Sequence, residues 1–519
     1  MSSRFSSLGG PSLPTAASGV PRGAEGAEPI PRASEAGRLA IQPILFVIGL
    51  LIAILGMAMF IPAAVDLVFA NEDWVVFALS AVLSIFVGVS LVLATRGTAD
   101  HLSLKQAFIM TVLAWIVLPA FAALPFVFSD RALSYTDAFF EAVSGITTTG
   151  ATVITYLDGL PPGILVWRAI LQWLGGLGIV VMAVAILPIL QVGGMQLFRT
   201  ESFETFGKVM PSAAQIAGIL SNIYMLLTLT AAIALWAAGM DIFDAVCHSM
   251  TTIATGGFAN YDQSIGAFNS VTIEMIIAFF MFVASLPFVL VFQAVRGHPI
   301  ALWRDDQVRL FMFMLGSILV VVISWLIFFK DFALGDALRY GIFNIISVMT
   351  GTGYSSTNYG GWGTFAATGF FLITFIGGCA GSTSCGAKIF RFHVLFSVIA
   401  QEVTKIRRPN AVFIARYNGQ PLRPDIISSV MSFFFLFGIS FFVVGGVLSA
   451  MGLDAFTAFS GAATALANVG PGVGPTIGPA GSFSELEDPA KWVLAFAMLL
   501  GRLEFFTVLV LFTRTFWRA

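Results

Sequence analysis

Residues 137–151 read DAFFEAVSGITTTGA: an aspartate, a short apolar stretch, then a strip of threonines ending at Gly150. Three further segments repeat this plan, opening at Asp244-Ala245-Val246, Asp336-Ala337-Leu338 and Asp454-Ala455-Phe456. Their strips are Ile253-Ala254-Thr255-Gly256-Gly257, Thr350-Gly351-Thr352-Gly353-Tyr354 and Ala467-Asn468-Val469-Gly470-Pro471. Aligning Gly150, Gly256, Gly353 and Gly470 places each glycine 13, 12, 17 and 16 positions after its aspartate. The glycines themselves are 106, 97 and 117 residues apart. One such strip alone would read as a small-residue packing motif. Four in register, near one hundred residues apart, are an internal repeat.

The surroundings of these segments are membrane-like. Of 519 residues, 58% are hydrophobic and 10% charged, against about 25% charged in an average soluble domain. Mean hydropathy is +0.92. Apolar runs long enough to cross a bilayer lie near 43–69, 75–94, 107–128, 164–190, 215–238, 270–295, 309–329, 365–400, 426–450 and 490–513, about ten spans. The repeated segments are too short to cross and sit between spans, so they read as re-entrant half-helices lining a cavity. The predicted architecture is an all-α polytopic membrane protein. An N-terminal transmembrane hairpin (39–100) precedes four helix–pore-helix–helix repeats around one pore, over 101–200, 201–300, 301–410 and 411–519. Residues 1–38, rich in Ser, Gly, Pro and Ala, read as a disordered cytoplasmic tail.

Charge sets orientation. With the N-terminus inside, about twenty Lys and Arg fall on the inner side and five (Arg131, Arg168, Lys330, Arg339, Lys491) outside, leaving Arg502 within a span. Both termini are then cytoplasmic. Acidic residues such as Asp158, Asp241 and Asp262 fall outside, either as solvated loops or as a cation-concentrating vestibule. A net charge of −2 argues against a nucleic-acid binder. No spacing of His, Cys or carboxylates supports a metal enzyme.

Four strips of this kind suit a cation filter, in which rings of backbone carbonyls replace an ion's hydration shell. Each aspartate is a candidate N-cap. The opposite helix end then points inward and favours a cation. Glycine in each strip permits torsions that aim carbonyls at an axis. The stretch Gly381–Lys388 (GSTSCGAK) nearly spells a P-loop, but Ala387 stands where Lys is needed and the run interrupts a span. It reads as a constriction below the filter or as a passive kink. Arg502 is expected to face the cavity and reach carbonyls of the 377–386 loop, with snorkelling to the inner surface as the alternative.

The strings SGITTTGAT (144–152), TTIATGGF (251–258), VMTGTGY (348–354), ANVGPGVG (467–474), GGCAGSTSCGAK (377–388) and LLGRLEFFTVLVLFTRTFWR (499–518) together resemble the Trk/Ktr/HKT superfamily of potassium transporters, specifically its bacterial TrkH/TrkG branch. The resemblance runs from about residue 40 onward. It implies potassium as the transported ion and no covalent cofactor. It places potassium at Thr148, Thr149, Gly150, Ala254, Thr255, Gly256, Gly351, Thr352, Gly353, Asn468, Val469 and Gly470. In this family Gly in the first strip accompanies potassium preference and Ser sodium transport. A single aligned Gly per strip implies looser discrimination than in potassium channels, with Rb⁺ permeant and Na⁺ partly so. The resemblance further implies an intramembrane gating loop at Gly377, Gly378, Gly381, Ser382, Thr383, Ser384 and Gly386, with Arg502 acting on it. It also implies a homodimer in the bacterial inner membrane, beneath which sits a TrkA-like cytosolic nucleotide-binding (NAD/ATP) ring. The alternative is a Na⁺-coupled or Na⁺-permeable secondary transporter. Coupled transporters favour inverted repeats, whereas these repeats run in one sense.

Overall fold

The computed structural model describes residues 41–96, 103–182, 213–410, 414–474 and 476–518. The expected tail, the end of the 164–190 span, and Arg199 and Lys208 lie outside the described residues.

Helices Gln42–Ala58 and Phe60–Val68 form one span, and Trp74–Ala94 returns beside it. Glycines let the two backbones touch. A Cβ on Gly49 would lie 2.8 Å from the Gly88 carbonyl oxygen, and one on Gly88 only 2.5 Å from that of Gly49. Without a hydrophobic drive between helices in lipid, such close approach is what holds them.

Each repeat then follows one plan. The entering helices are Leu104–Ala122 (continued by Leu124–Phe128), Ala213–Ala237, Asp306–Lys330 and Pro424–Ala450. The pore helices are Tyr135–Ile146, Ile242–Ile253, Leu334–Met349 and Ala455–Ala467. Pore helices are buried almost throughout, while the entering helices present residues such as Phe313 (71% exposed) and Phe328 (77% exposed) outward. That inside-out polarity is what lipid requires.

The exit helices depart from a simple reading. Only the first, Pro162–Val181, is described as one continuous helix. The second is Val271–Ala284 followed by Phe288–Val295, bent by 108°. Pro287, which lacks an N–H, stands in that break. The third is Thr364–Ile373, then a non-helical stretch, then Ile389–Arg407. The fourth, Asp488–Arg502, bends by 106° into Phe506–Phe512, with Glu504 and Phe505 at positive φ.

Of the four aspartates expected as N-caps, Asp454 is one, accepting from the Phe456 and Thr457 N–H groups at 3.0 Å. The other three lie one turn inside their helices. Ser134 caps the first and Asp241 the second, and the third opens at Ala333 with no side-chain cap. Asp137, Asp244 and Asp336 therefore occupy first turns, where a carboxylate still meets the positive end of the helix.

Candidate functional site

Each pore helix ends in the same backbone figure. Thr148, Thr255, Gly351 and Asn468 take φ of +53°, +49°, +76° and +53°. The next residues, Thr149, Gly256, Thr352 and Val469, donate their N–H groups to carbonyls five residues back: Ser144 (2.8 Å), Thr251 (2.9 Å), Ser347 (2.9 Å) and Thr464 (3.1 Å). This is the Schellman closure of a helix, a left-handed residue turning the chain so that late carbonyls are satisfied from beyond the end. Four occurrences define the register of the strips. Two residues after each left-handed turn stands a second one, always glycine: Gly150, Gly257, Gly353 and Gly470, at +83°, +78°, +85° and +92°.

The second strip is thereby corrected by one position. The glycine equivalent to Gly150 is Gly257, not Gly256, and the set Ala254–Gly256 becomes Thr255–Gly257. In a Gly-Gly pair composition cannot choose. Backbone geometry can, because only Gly257 has the left-handed φ.

These glycines close a ring. A Cβ on Gly150 would collide with the carbonyl oxygen of Gly256 in the second repeat, and one on Gly257 with that of Thr352 in the third. On Gly353 it would strike Val469 O in the fourth, and on Gly470 it would come within 2.7 Å of Thr149 O in the first. Every repeat thus seats the carbonyl of one neighbour against its own glycine, and the sequence of contacts returns to its start. A funnel lined by residues of all four strips, among them Ala151, Phe258, Ser355 and Pro471, opens on one side of this ring.

Polar side chains behind the strips fix them. Seven residues before each left-handed turn stand Glu141, His248, Asn344 and Gly461. The first three accept the N–H of the residue five past the turn: Val153 at 3.0 Å, Asn260 at 3.4 Å and Ser356 at 3.2 Å. His248 Nδ1 lies 2.8 Å from the Asp244 carbonyl, so the neutral ring with its proton on Nδ1 satisfies both contacts. In the fourth repeat Ser460 substitutes, donating to the Val473 carbonyl at 2.9 Å. Arg168 completes the set. It bonds Glu141 at 2.8 Å and the Ala259 carbonyl at 2.8 Å, and stacks over Phe258. Three cations expected on the outer side are therefore internal braces of the pore: Arg168, Arg339 (to Glu274, 2.7 Å) and Lys491 (to Asp137, 2.6 Å). Neither the Arg168–Glu141 pair nor His248 was singled out from sequence, since their partners lie in separate elements.

At the inner ends of the strips, toward which the pore helices' C-termini point, lies the non-helical stretch 374–388. It touches every repeat. Cys385 Sγ is 3.5 Å from Thr148 Oγ1, Thr383 Oγ1 donates to the Ala284 carbonyl (3.1 Å), Ser384 Oγ donates to that of Thr350 (2.5 Å), and Gly386 N–H donates to that of Ala467 (2.8 Å). The bent second-repeat helix receives it: Ser285 O accepts from Cys379 N–H and Phe288 N–H donates to Gly381 O, both at 2.9 Å. Two broken segments satisfy each other's backbone groups, which is how irregular chain persists at membrane depth. Among the predicted loop residues, Ser382 donates to Cys379 O, and Gly377 and Gly378 pack so closely on Cys385 and Ser384 that a Cβ would not fit.

Arg502 is 4% exposed and does reach this loop, but its contact is Cys385 Sγ (2.8 Å from Nη1), not loop carbonyls. Its Nε and Nη2 have no partner among the described residues. Cys385, absent from the predicted gating set, is thus the hub between loop, first strip and Arg502. Nearby, Arg391 pairs with Glu504 and lies over Phe433, and Lys388 donates to Ser384 O. Both basic side chains, counted among the inner-side cations, are buried within the protein.

Comparison with known proteins agrees with this geometry. Residues 74–518 match the TrkH family, described as cation transport protein. The Trk system potassium uptake protein TrkI of Halomonas elongata is 45% identical over 480 residues, covering 92% of this chain and 97% of that protein. The corresponding TrkH of Escherichia coli is 40% identical, covering 91% and 98%. The crystal structure of the potassium transporter TrkH from Vibrio parahaemolyticus superposes with a TM-score of 0.86 at 38% identity, covering 92% of this chain and all of that one.

Proposed function

The chain belongs to the TrkH family of cation transport proteins, and on that basis we propose that it takes up potassium across the bacterial inner membrane through the ring of four strips. The observation that carries this reading is the closed cycle of glycine-to-carbonyl contacts, Gly150 to Gly256, Gly257 to Thr352, Gly353 to Val469 and Gly470 to Thr149. Such a cycle aligns four strips around one axis, the arrangement that lets carbonyls stand in for an ion's water. Carbonyls of Thr148–Gly150, Thr255–Gly257, Gly351–Gly353 and Asn468–Gly470 coordinate the ion. The negative ends of four pore helices favour it just inside. Membrane potential supplies roughly 2.3 kcal/mol per charge per 100 mV.

The 374–388 loop is the gate. It lies across the inner end of the strips with contacts to all four repeats. Arg502, buried beside Cys385, holds it closed by hydrogen bonding and by repelling cations. Relatives named as parts of a Trk system support a partnered assembly. The family resemblance makes it a homodimer with both termini cytoplasmic, bearing a TrkA-like nucleotide-binding ring. Tracer Rb⁺ uptake into proteoliposomes holding the purified chain, competed by K⁺ and by Na⁺, tests the reading. Uptake suppressed by K⁺ far more than by Na⁺ supports it. Equal competition favours the Na⁺-permeable alternative, and no voltage-driven uptake overturns both.

A further inference from the structure

Between the third and fourth repeats the sequence Arg416-Tyr417-Asn418-Gly419-Gln420-Pro421 forms a small hairpin, pairing Arg416 with Pro421 and Tyr417 with Gln420. Asn418 and Gly419 take φ of +46° and +78°, as the two central residues of the tightest hairpin turn must. Two residues per strand do not hold a hairpin together in water. Here it is held from outside. Asn418 makes three bonds to the start of helix Asp306–Lys330: its N–H to Asp306 Oδ2 (2.6 Å), its Nδ2 to Asp305 Oδ2 (2.9 Å), and its Oδ1 from the Asp306 N–H (2.8 Å). On its other side His393 Nε2 contacts the Arg416 carbonyl (3.1 Å) and its ring meets Tyr417 edge-on.

The next residue of that helix reaches the loop. Asp305 Oδ1 accepts from the N–H groups of Gln307 and Val308 (3.0 and 3.1 Å), fixing the first turn. The Gln307 side chain, 1% exposed, accepts the N–H of Ala380 (2.8 Å) in the 374–388 stretch. His393 belongs to the helix that begins where the loop ends. The hairpin therefore grips two elements tied to the loop: helix Asp306–Lys330, which touches it through Gln307, and helix Ile389–Arg407, which continues from it.

We infer that the 416–421 hairpin is a regulatory handle on the intramembrane loop, acting through the chain Asn418–Asp305/Asp306–Gln307–Ala380, with Gln307 as the positioning residue. The inference rests on the loop being the gate. A displacement of the hairpin tilts the first turn of helix Asp306–Lys330 and withdraws the acceptor from Ala380. A buried N–H left without an acceptor is disfavoured, so the loop gives up its seat under the strips.

The test uses the full chain in proteoliposomes with Cys247 and Cys379 replaced by Ser, leaving Cys385 as the reporter thiol. Two quantities are read: tracer Rb⁺ uptake, and the rate at which a charged methanethiosulfonate modifies Cys385. Gln307→Met keeps the volume and removes the acceptor, and Asn418→Ala removes the clamp two links away. Each is expected to raise uptake and Cys385 modification together, by about fivefold, the scale of one buried hydrogen bond. Gln307→Glu, which keeps an oxygen at the same reach, returns both toward the starting values. The K⁺-over-Na⁺ preference stays fixed, because the strips are untouched. Unchanged modification and uptake in folded Asn418→Ala protein overturns the handle. So does faster uptake without faster modification. If the parent chain itself shows no K⁺-competed uptake, the transport reading fails first, and the modification rates still report whether the hairpin positions the loop.

Discussion

Arg168 and Glu141 form an ion pair at 2.8 Å that solvent does not reach, with side-chain exposures of 1% and 0%. It ties the first pore helix to the exit helix of its own repeat, and through the Ala259 carbonyl and the Phe258 ring to the strip of the next. Removing one member leaves a buried charge unpaired, which costs about 3–5 kcal/mol. Arg168→Met and Glu141→Gln are each expected to lower thermal stability in detergent by that order. The double variant should recover part of the loss, since no bare charge remains. Strict additivity of the two single effects would show that the pair is not coupled.

The register of the second strip can be tested at adjacent glycines. A side chain on Gly257 meets both a left-handed φ of +78° and the Thr352 carbonyl, whereas one on Gly256 keeps an ordinary φ and meets the Gln172 amide, a side chain that holds the Gly256 carbonyl and the Phe258 N–H. Gly257→Ala should therefore impair folding or K⁺ uptake at least tenfold more than Gly256→Ala. At Gly150, φ +83° and the Gly256 carbonyl make the same demand. Gly150→Ser should shift the reversal potential toward Na⁺, and an unchanged reversal potential would remove Gly150 from the ion path.

Arg502 holds the loop through a sulfur atom. Guanidinium keeps its charge when buried, so Arg502→Ala should raise Rb⁺ uptake at low driving force. Arg502→Lys separates charge from geometry, lying between the two if the fork of donors matters. Cys385→Ala, which removes the contact and leaves the charge, should raise uptake less than Arg502→Ala. Wild-type uptake in Arg502→Ala with reduced thermal stability would make the arginine a structural brace only.

The fourth pore helix carries a pH signature. The Thr457 hydroxyl and N–H, with the Phe456 N–H, hold the Asp454 carboxyl below its ordinary value of 3.8. A depressed carboxylate stabilises the fold above its unfolded pKa and loses that contribution as pH falls through its folded one. Asp454→Ala should cost about 1 kcal/mol at neutral pH, and melting curves of the two proteins should converge below about pH 4. A constant gap down to pH 3 would mean the cap does not depend on ionisation.

Repeat spacing and composition made the architecture legible, because four Asp-to-Gly segments between apolar spans have few other readings. What escaped were features set by contacts across the chain. Gly256 and Gly257 are indistinguishable until the closure of helix Ile242–Ile253 is seen. The cap of the first pore helix was displaced from Asp137 to Ser134, although Ser-x-x-Asp is itself a start signal. Pro287 marks the bend in the second exit helix, whereas the break residues Leu503–Phe505 include no glycine or proline, and the break is accompanied by the pairing of Glu504 with Arg391, over a hundred residues away. Asn418-Gly419 is itself a strong turn signal, but its anchorage on Asp305 and Asp306 is set by residues more than a hundred positions away.

The strips obey a fourfold pattern, but the stretch that touches all four at their inner end, 374–388, belongs to the third repeat. If that stretch is the gate, as proposed above, opening is a single-hit event, since there is one plug to move and no set of equivalent subunits to recruit in turn. Current through one such pore should switch between two levels, with dwell times that decay as single exponentials. Any steepness in its response to a regulator must then originate in that regulator's own symmetry.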